Sequence, residues 1–448
     1  MTLRPPYFKR AAAWLLLLGP LFYLSYGLAN WWAATRGSVP SVAFGWERHI
    51  PFLSWTIFPY WSLNFFYALS LFLGRSRHAI DRHGARLLTA QVIAVACFVA
   101  WPLQFGFGQP EVSGPPGLLF DALRGFDQPF NQAPSLHIVL TVILWDWYQH
   151  RLQAPWARAV LHVWAMLIGI SVLTTYQHHF LDIPTGMLLG MFCVWLWPLE
   201  RRLSMPATWR WTTVPKRLCL GAAYAAGAAL CLGVALWLGG WGLWLAWPAA
   251  ALSIVALNYL GLGARGFGMD GHGRMHWAVR WLLAPYRIAA AINARLWTLG
   301  QAPAHEVLPG VWLGRMPTAR EWRNAGQPVI VSLCAELQPP SPARAMQLTH
   351  CLPLLDLVAP TPQQLQLAAS RIEAAYRQSQ HSGRPLLVCC ALGYARSAAA
   401  LMAWLLHTGQ QASVVQAHAL LRSVRPRLVV QEPVTGALAA LLSKRVQT

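Results

Sequence analysis

Cys390 and Arg396 stand six positions apart, between a short apolar run, Pro385-Leu-Leu-Val-Cys-Cys390, and a helix-forming stretch, Ala398 to His407. Strand, tight loop and helix in that order make a phosphate cradle, because loop N–H groups and the helix N-terminus turn partial positive charge onto an anion. Gly393 permits the turn, and the same field favours a thiolate at Cys390, the form that attacks phosphorus. Arg396 is spaced so that a returning loop brings its planar fork onto two phosphate oxygens, a contact that lysine cannot make. Of the eight cysteines, only Cys390 has arginine at that spacing. The bland alternative is a core cysteine beside a helix-start arginine.

A leaving oxygen needs a proton, and a carboxylate on a loop is the usual donor. Between 331 and 389 the acidic residues are Glu336, Asp356 and Glu373. Asp356 follows Leu352-Pro-Leu-Leu355 and precedes the loop Leu357-Val-Ala-Pro-Thr-Pro362, whereas Glu373 falls in a helical pattern. Asp356 thus stands before a loop, as such a donor would, with a plain loop or helix-cap carboxylate as the alternative.

Cys390, Gly393, Arg396 and Ser397 match the pattern His-Cys-x2-Gly-x2-Arg-Ser/Thr, so residues 300–448 resemble the dual-specificity group of cysteine phosphatases. The resemblance implies an α/β domain in which Cys390 is nucleophile, Arg396 the transition-state clamp, Ser397 the hydroxyl that assists the leaving thiolate and Asp356 the acid. Residues Ala391, Leu392, Gly393, Tyr394, Ala395 and Arg396 would bind phosphate. Gly310 to Gly314 resembles the family's opening strand and Arg425-Pro426 a common late feature. Cys389 stands where the family has histidine, which adds a thiol next to the nucleophile.

Two further clusters lie among apolar runs, where ionisable groups are costly and suggest function. One is Asn131-Gln-Ala-Pro-Ser135-Leu-His137, and the other is Tyr176-Gln-His178-His179-Phe-Leu-Asp182. His178 and Asp182 share a helix face at i, i+4. Two histidines and an aspartate suit phosphoryl transfer: one His attacks, Asp orients it, and the other His protonates the leaving oxygen. The plain alternative is a set of interfacial polar residues.

Pro-Ser-x-His at 134–137 and His-x3-Asp at 178–182 resemble the type 2 phosphatidic acid phosphatase superfamily over about 52–200. The resemblance implies a six-helix core with His178 as nucleophile, Asp182 as its orienter and His137 as general acid. The family's Lys-x6-Arg-Pro motif survives only as Gln109-Pro110, and its Ser-Arg pair reads Ser171-Val172. Both losses remove phosphate-binding cations, and Arg124 is the one outer-loop cation near the first cluster.

These sites need a scaffold that composition points to directly. The chain of 448 residues is 56% hydrophobic and 11% charged, well under the roughly 25% charged residues of a soluble domain. Apolar runs fill the chain to about 262 and give eight expected spans, at 11–29, 52–73, 87–107, 134–148, 157–175, 183–199, 218–238 and 242–261. With a cytoplasmic N-terminus, fourteen cations up to residue 262 fall on the cytoplasmic side, Arg4, Arg201 and Arg202 among them. Three, Arg36, Arg48 and Arg124, fall opposite, the asymmetry that orients membrane helices.

The expected architecture is thus an all-α polytopic membrane domain at 1–262, an amphipathic interfacial linker at 263–299 broken near Pro285, and an α/β cysteine phosphatase domain at 300–448. It would sit in a bacterial inner membrane with both termini cytoplasmic. The partners implied are the bilayer and a phospholipid or phosphoprotein substrate, with no cofactor, metal or nucleic acid. The net charge of +20 is spread over loops rather than along one basic stripe, which disfavours nucleic-acid binding.

Overall fold

The structure is a computed structural model that describes residues 7–200 and 204–446; Arg4, Arg201 and Arg202 of the charge count lie outside them. The chain divides into two compact units, one of Met1–Thr208 with Leu238–Leu243 and one of Trp209–Trp237 with Trp244–Thr448. The division falls well before the compositional change at 262, because the last two apolar segments pack with the α/β part.

The first unit is helical: α1 (Phe8–Ala34), α2 (Ile57–Phe72), α3 (Arg77–Ala100), α4 (Gly114–Arg124), α5 (Leu136–Gln149), α6 (Pro155–Thr174), α7 (Asp182–Leu196) and a single turn, α8 (Met205–Thr208). Every expected span up to residue 199 overlaps one of these helices. The third is displaced, ending at Ala100 instead of 107, because Trp101 precedes Pro102 and a residue before proline is pushed out of the helical region. Its early start at Arg77 is tolerated because its charges find partners. Asp81 pairs with Arg10 at 2.5 Å, and buried Arg86 pairs with buried Asp146 of α5 at 2.8 Å. Ser76 caps α3 by accepting the Ala79 N–H.

The second unit begins with α9 (Pro215–Leu238) and α10 (Ala246–Leu257). Among the described residues, five helical segments are long and apolar enough to cross a membrane: Phe8–Ala34, Arg77–Ala100, Pro155–Thr174, Pro215–Leu238 and Gly240–Phe267. The linker differs from the single broken helix expected. Residues Gly263–Phe267 form a short 3-10 helix, and 268–276 a turn closed by a short Met269–Met275 bridge. Only then do α11 (Trp277–Leu282) and α12 (Ala284–Trp297) follow. The turn lies along a sheet edge: Gly271 accepts the Cys351 N–H at 2.8 Å and His272 accepts the Thr349 hydroxyl at 2.8 Å. An otherwise open row of backbone groups is thereby covered.

The α/β part comprises β1 (Ala304–Leu308), β2 (Val311–Arg315), α13 (Ala319–Asn324), β3 (Val329–Cys334), α14 (Ser341–Ala345), β4 (Thr349–Leu354), α15 (Pro362–Ser382), β5 (Leu386–Cys390), α16 (Arg396–His407), α17 (Val414–Val424) and α18 (Glu432–Val446). The sheet order is β1-β2-β5-β3-β4. β1 runs antiparallel to β2 and the other pairs are parallel. Every residue of β3 and β5 is buried, which is why both read as unbroken apolar runs without alternation. Ligands of such sheets collect at the carboxyl ends of the strands, and β5 ends on Cys390.

Candidate active sites

The loop after β5 is shaped by what holds its carbonyls. Ala391 O accepts from Met316 N, Leu392 O accepts from Arg425 Nη2 at 2.9 Å, and Tyr394 O accepts from Val429 N. Because a peptide's C=O and the next N–H point oppositely, these outward carbonyls turn the N–H groups of Leu392, Gly393 and Ala395 to the opposite side. Gly393 donates its N–H to Cys390 Sγ at 3.2 Å, and the Ser397 hydroxyl donates to the same sulfur at 3.3 Å. Gly393 is required twice: its φ is +76°, and a Cβ there would lie 2.4 Å from the Gly314 carbonyl of β2. The site thus brings Cys390, Gly393, Arg396 and Ser397 together.

Arg396 is buried and held by Glu336, for which the sequence pattern suggests no role. Glu336 takes it bidentately, at 2.7 Å to Nη2 and 2.9 Å to Nη1, and Leu354 O takes Nη1 at 3.0 Å. Burial alone would push the Glu336 carboxyl up, but the Arg396 guanidinium outweighs it and holds it below the ordinary carboxylate range. Arg396 Nε is buried without a hydrogen-bond partner, an orphan donor that a phosphate oxygen would satisfy. Glu336 follows β3 by two residues, at the strand end where such sites gather; that position was the available signal.

Asp356 stands in the expected place, with Oδ1 3.0 Å from Arg396 Nη2. Burial raises its carboxyl above the usual range, against the opposing pull of Arg396, so the residue is suited to hold a proton. Leu357, which follows it, has φ +57°, a strained backbone for a branched side chain. The Asp356 carbonyl accepts the Tyr259 hydroxyl at 3.1 Å, which ties the acid loop to the apolar segment Gly240–Phe267. Arg425 braces the cysteine loop from outside, stacking over the Tyr394 ring at 4.9 Å. Cys389 is fully buried on β5, and burial raises its thiol well above the ordinary range.

In the helical unit, His178 Nδ1 lies 3.2 Å from Asp182 Oδ2, but not on a shared helix face as expected: α7 begins at Asp182 and His178 stands in the loop before it, which folds back over the helix start. His137 stacks on Tyr60 at 3.8 Å and its ring centroid is 6.4 Å from that of His178. His137 Nε2 is buried without a partner. Ser135 is a helix cap, accepting the Ile138 N–H. Arg124 does not supply the missing cation: it is exposed, pairs with Asp121 at 2.5 Å and contacts Gln109.

Three residues here were given no role by the sequence. Glu47 is the first acidic residue in the chain. It binds His179 Nδ1 at 2.9 Å and accepts the N–H groups of Phe44 and Phe180. His179 Nε2 accepts the Gly106 N–H at 3.0 Å and faces Ser41 Oγ at 3.1 Å, so the ring next to the presumed nucleophile is locked on both sides. Asp127 lies within electrostatic reach of His178, against Tyr26 and Asn30.

No family model matches the chain, and no curated protein does. Solved structures do. Tk-PTP in its active form is 25% identical, with 32% of this chain and 97% of that chain covered and a TM-score of 0.28. Human DUSP28 is 23% identical, with 33% and 97% covered and a TM-score of 0.28. PTPMT1 in complex with PI(5)P is 17% identical, with 33% and 98% covered and a TM-score of 0.29.

Proposed function

We propose that the chain is a membrane-bound phosphatase that hydrolyses phosphomonoesters through a cysteinyl-phosphate intermediate. The observation that carries the reading is the loop itself: a cysteine sulfur receiving an N–H and a hydroxyl, beside a buried arginine with an unpartnered Nε. Cys390 attacks phosphorus while Arg396 and the inward N–H groups take the charge growing on the equatorial oxygens. Asp356 gives its proton to the leaving oxygen and then takes one from the water that cleaves the P–S bond. Ser397 stabilises the departing thiolate.

The substrate is a phosphomonoester presented at a bilayer, such as a lipid phosphate. Support comes from the Tyr259 tie between the acid loop and a membrane-length segment. It also comes from the exposed apolar row Trp281, Ile288, Ile292 and Leu296 of α11 and α12, which suits a bilayer interface; Arg287 and Arg295 between them turn inward, to the Glu336 carbonyl and the Glu321 carboxylate. In this reading the cysteine loop lies on the cytoplasmic side and the histidine pair on the other. Release of phosphate from vesicle-borne lipid phosphates by the full-length protein, lost in Cys390→Ser, tests it; faster release from phosphotyrosine peptides would favour a protein phosphatase, and none from either a phosphate-binding pseudo-enzyme.

A second centre is favoured by the unpartnered His137 Nε2 beside the His178–Asp182 pair. His178 would attack phosphorus through Nε2 while Asp182 holds Nδ1, with His137 serving the leaving oxygen.

A further inference from the structure

Segments that precede the α/β layer in the chain reach the cysteine site. Tyr259 is 1% exposed and bonds the Asp356 carbonyl, and its ring stacks on Tyr224 of α9 at 5.4 Å. Tyr224 meets Tyr286 of α12 edge-on at 5.8 Å, and Phe267 packs on Tyr286 at 5.9 Å. Arg217, in the first turn of α9, fixes this arrangement by donating to the Tyr259 carbonyl at 3.0 Å and the Asn258 carbonyl at 3.4 Å. Both carbonyls belong to the π-helical turn Asn258–Leu262, a local widening often found at functional sites. Arg217 thus has a structural task.

Its neighbour Lys216 does not. Lys216 is exposed, and its one hydrogen bond among the described residues is a long one, from Nζ to Gln431 Oε1 at 3.4 Å; an ammonium carries three donors. Gln431 follows Val429, whose N–H holds the Tyr394 carbonyl of the cysteine loop. On its other side Lys216 lies within electrostatic reach of Asp356. It therefore stands between the acid loop and the segment that braces the cysteine loop. Both of those rims expose apolar side chains, Leu357 and Val429, each 53% exposed, and Val214 and Leu218 on either side of Lys216 are exposed as well. A lysine stem lying along apolar surface with its ammonium at the edge is suited to a molecule that is apolar at one end and anionic at the other.

We propose that Lys216, Leu357 and Val429 form a lipid-reading mouth of the cysteine site, in which the ammonium takes acceptor oxygens next to the reacting phosphate and the two rims take the start of the apolar chains. The proposal rests on the phosphatase reading above and assigns the part of that site which selects a lipid. Cys390, Arg396 and Asp356 act on the phosphoryl group, which every phosphomonoester shares. Discrimination between phosphomonoesters has to come from contacts to the rest of the molecule, and Lys216 is placed to make them.

The test uses purified full-length protein in mixed detergent–lipid micelles. Phosphate release is measured from phosphatidic acid, from phosphatidylinositol 5-phosphate and from a soluble aryl phosphate. Each rate is taken as the difference between a protein and its Cys390→Ser counterpart, which removes any contribution of the histidine centre. Lys216→Gln is expected to raise KM for the better lipid about fivefold, the size of one exposed charge contact, with kcat nearly kept, and Lys216→Arg to recover most of that loss. Val429→Ser keeps the backbone bond to Tyr394 and should raise the same KM about threefold through lost apolar contact. Both variants should lose markedly less on aryl phosphate, and melting curves check that each is folded. Equal losses on lipid and aryl phosphate, or a lipid KM that does not move, overturn the proposal and leave the phosphatase reading standing. Cys390-dependent release from aryl phosphate alone removes the lipid reading and the proposal with it; no release from any of the three removes the phosphatase reading itself.

Discussion

The cysteine loop and the histidine pair surround a reacting group with different chemistry. At the loop, charge complement comes from backbone: three carbonyls are pinned outward, N–H groups face inward, and one buried arginine is aimed by Glu336. At the histidines, among the described residues, no lysine or arginine hydrogen-bonds to His137, His178 or Asp182, and the His178 ring is held by the Asp182 carboxylate. Anion recognition by backbone leaves a short, regular sequence signature, because a single loop must close on itself. A centre gathered from α5, the loop before α7 and the first residue of α7 leaves a scattered one.

The sharpest way to break this contrast is Cys390→Ser in the full-length protein, assayed by phosphate release from a lipid phosphomonoester. We expect a loss of about 10⁴-fold or more, since the nucleophile is removed, while Cys389→Ser changes the rate by less than about threefold. Substantial residual hydrolysis that then disappears in His178→Ala would mean that the histidine centre also handles dianions. Next in size is Arg396→Lys, which keeps the charge and removes the fork; kcat should fall about 10³-fold. A loss confined to KM would show that Arg396 binds ground state and transition state alike.

Asp356→Asn should cost about 10²-fold in kcat and also alter the pH profile. The acid must be protonated to act, so wild-type activity falls as pH rises through the raised Asp356 value, and the variant should lack that falling limb. A retained limb would assign it to another group.

Glu47→Gln is a smaller test on the other side of the contrast. The Glu47 carboxyl is raised by burial but held below its usual value by His179 and the N–H groups of Phe44 and Phe180. Its stabilisation is therefore present above the unfolded carboxylate value and lost as pH falls through the lowered folded one. Thermal melts should show wild type losing stability on acidification through that range and the variant losing little, with a cost near neutrality of about 1–3 kcal/mol. Smallest is Tyr259→Phe, which removes one hydrogen bond to the acid loop; about 1 kcal/mol should be read as a few-fold fall in kcat with KM on soluble aryl phosphate unchanged.

Much of the cysteine site was legible before any coordinates. Cys390, Gly393, Arg396, Ser397 and Asp356 converge as their spacing suggested, and β3, β5, α15 and α16 lie where apolar runs and helical periodicity put them. Short elements were not legible: β1, α13 and α14 carry too few residues for a period to show, whereas α17 went unread although Val414, Ala417, Leu421 and Val424 keep a helical spacing. The linker was misread because residues 263–276 satisfy the edge of β4 rather than a helical repeat.

What the sequence determined by itself was whatever is local: membrane-length apolar runs, a loop bounded by strand and helix, and a His–Asp pair four positions apart, although a loop and not a helix brings that pair together. Only the tertiary structure decided which distant groups meet them. Glu336 reaches Arg396 across 60 positions, Tyr259 reaches Asp356 across 97, and Glu47 reaches His179 across 132. None of these contacts has a periodicity or a motif, because a single carboxylate or hydroxyl in a loop reads the same whether it faces solvent or a buried guanidinium. Burial makes the difference: once Arg396 and His179 leave water, each requires a partner within hydrogen-bond reach, and the fold alone specifies which residue supplies it.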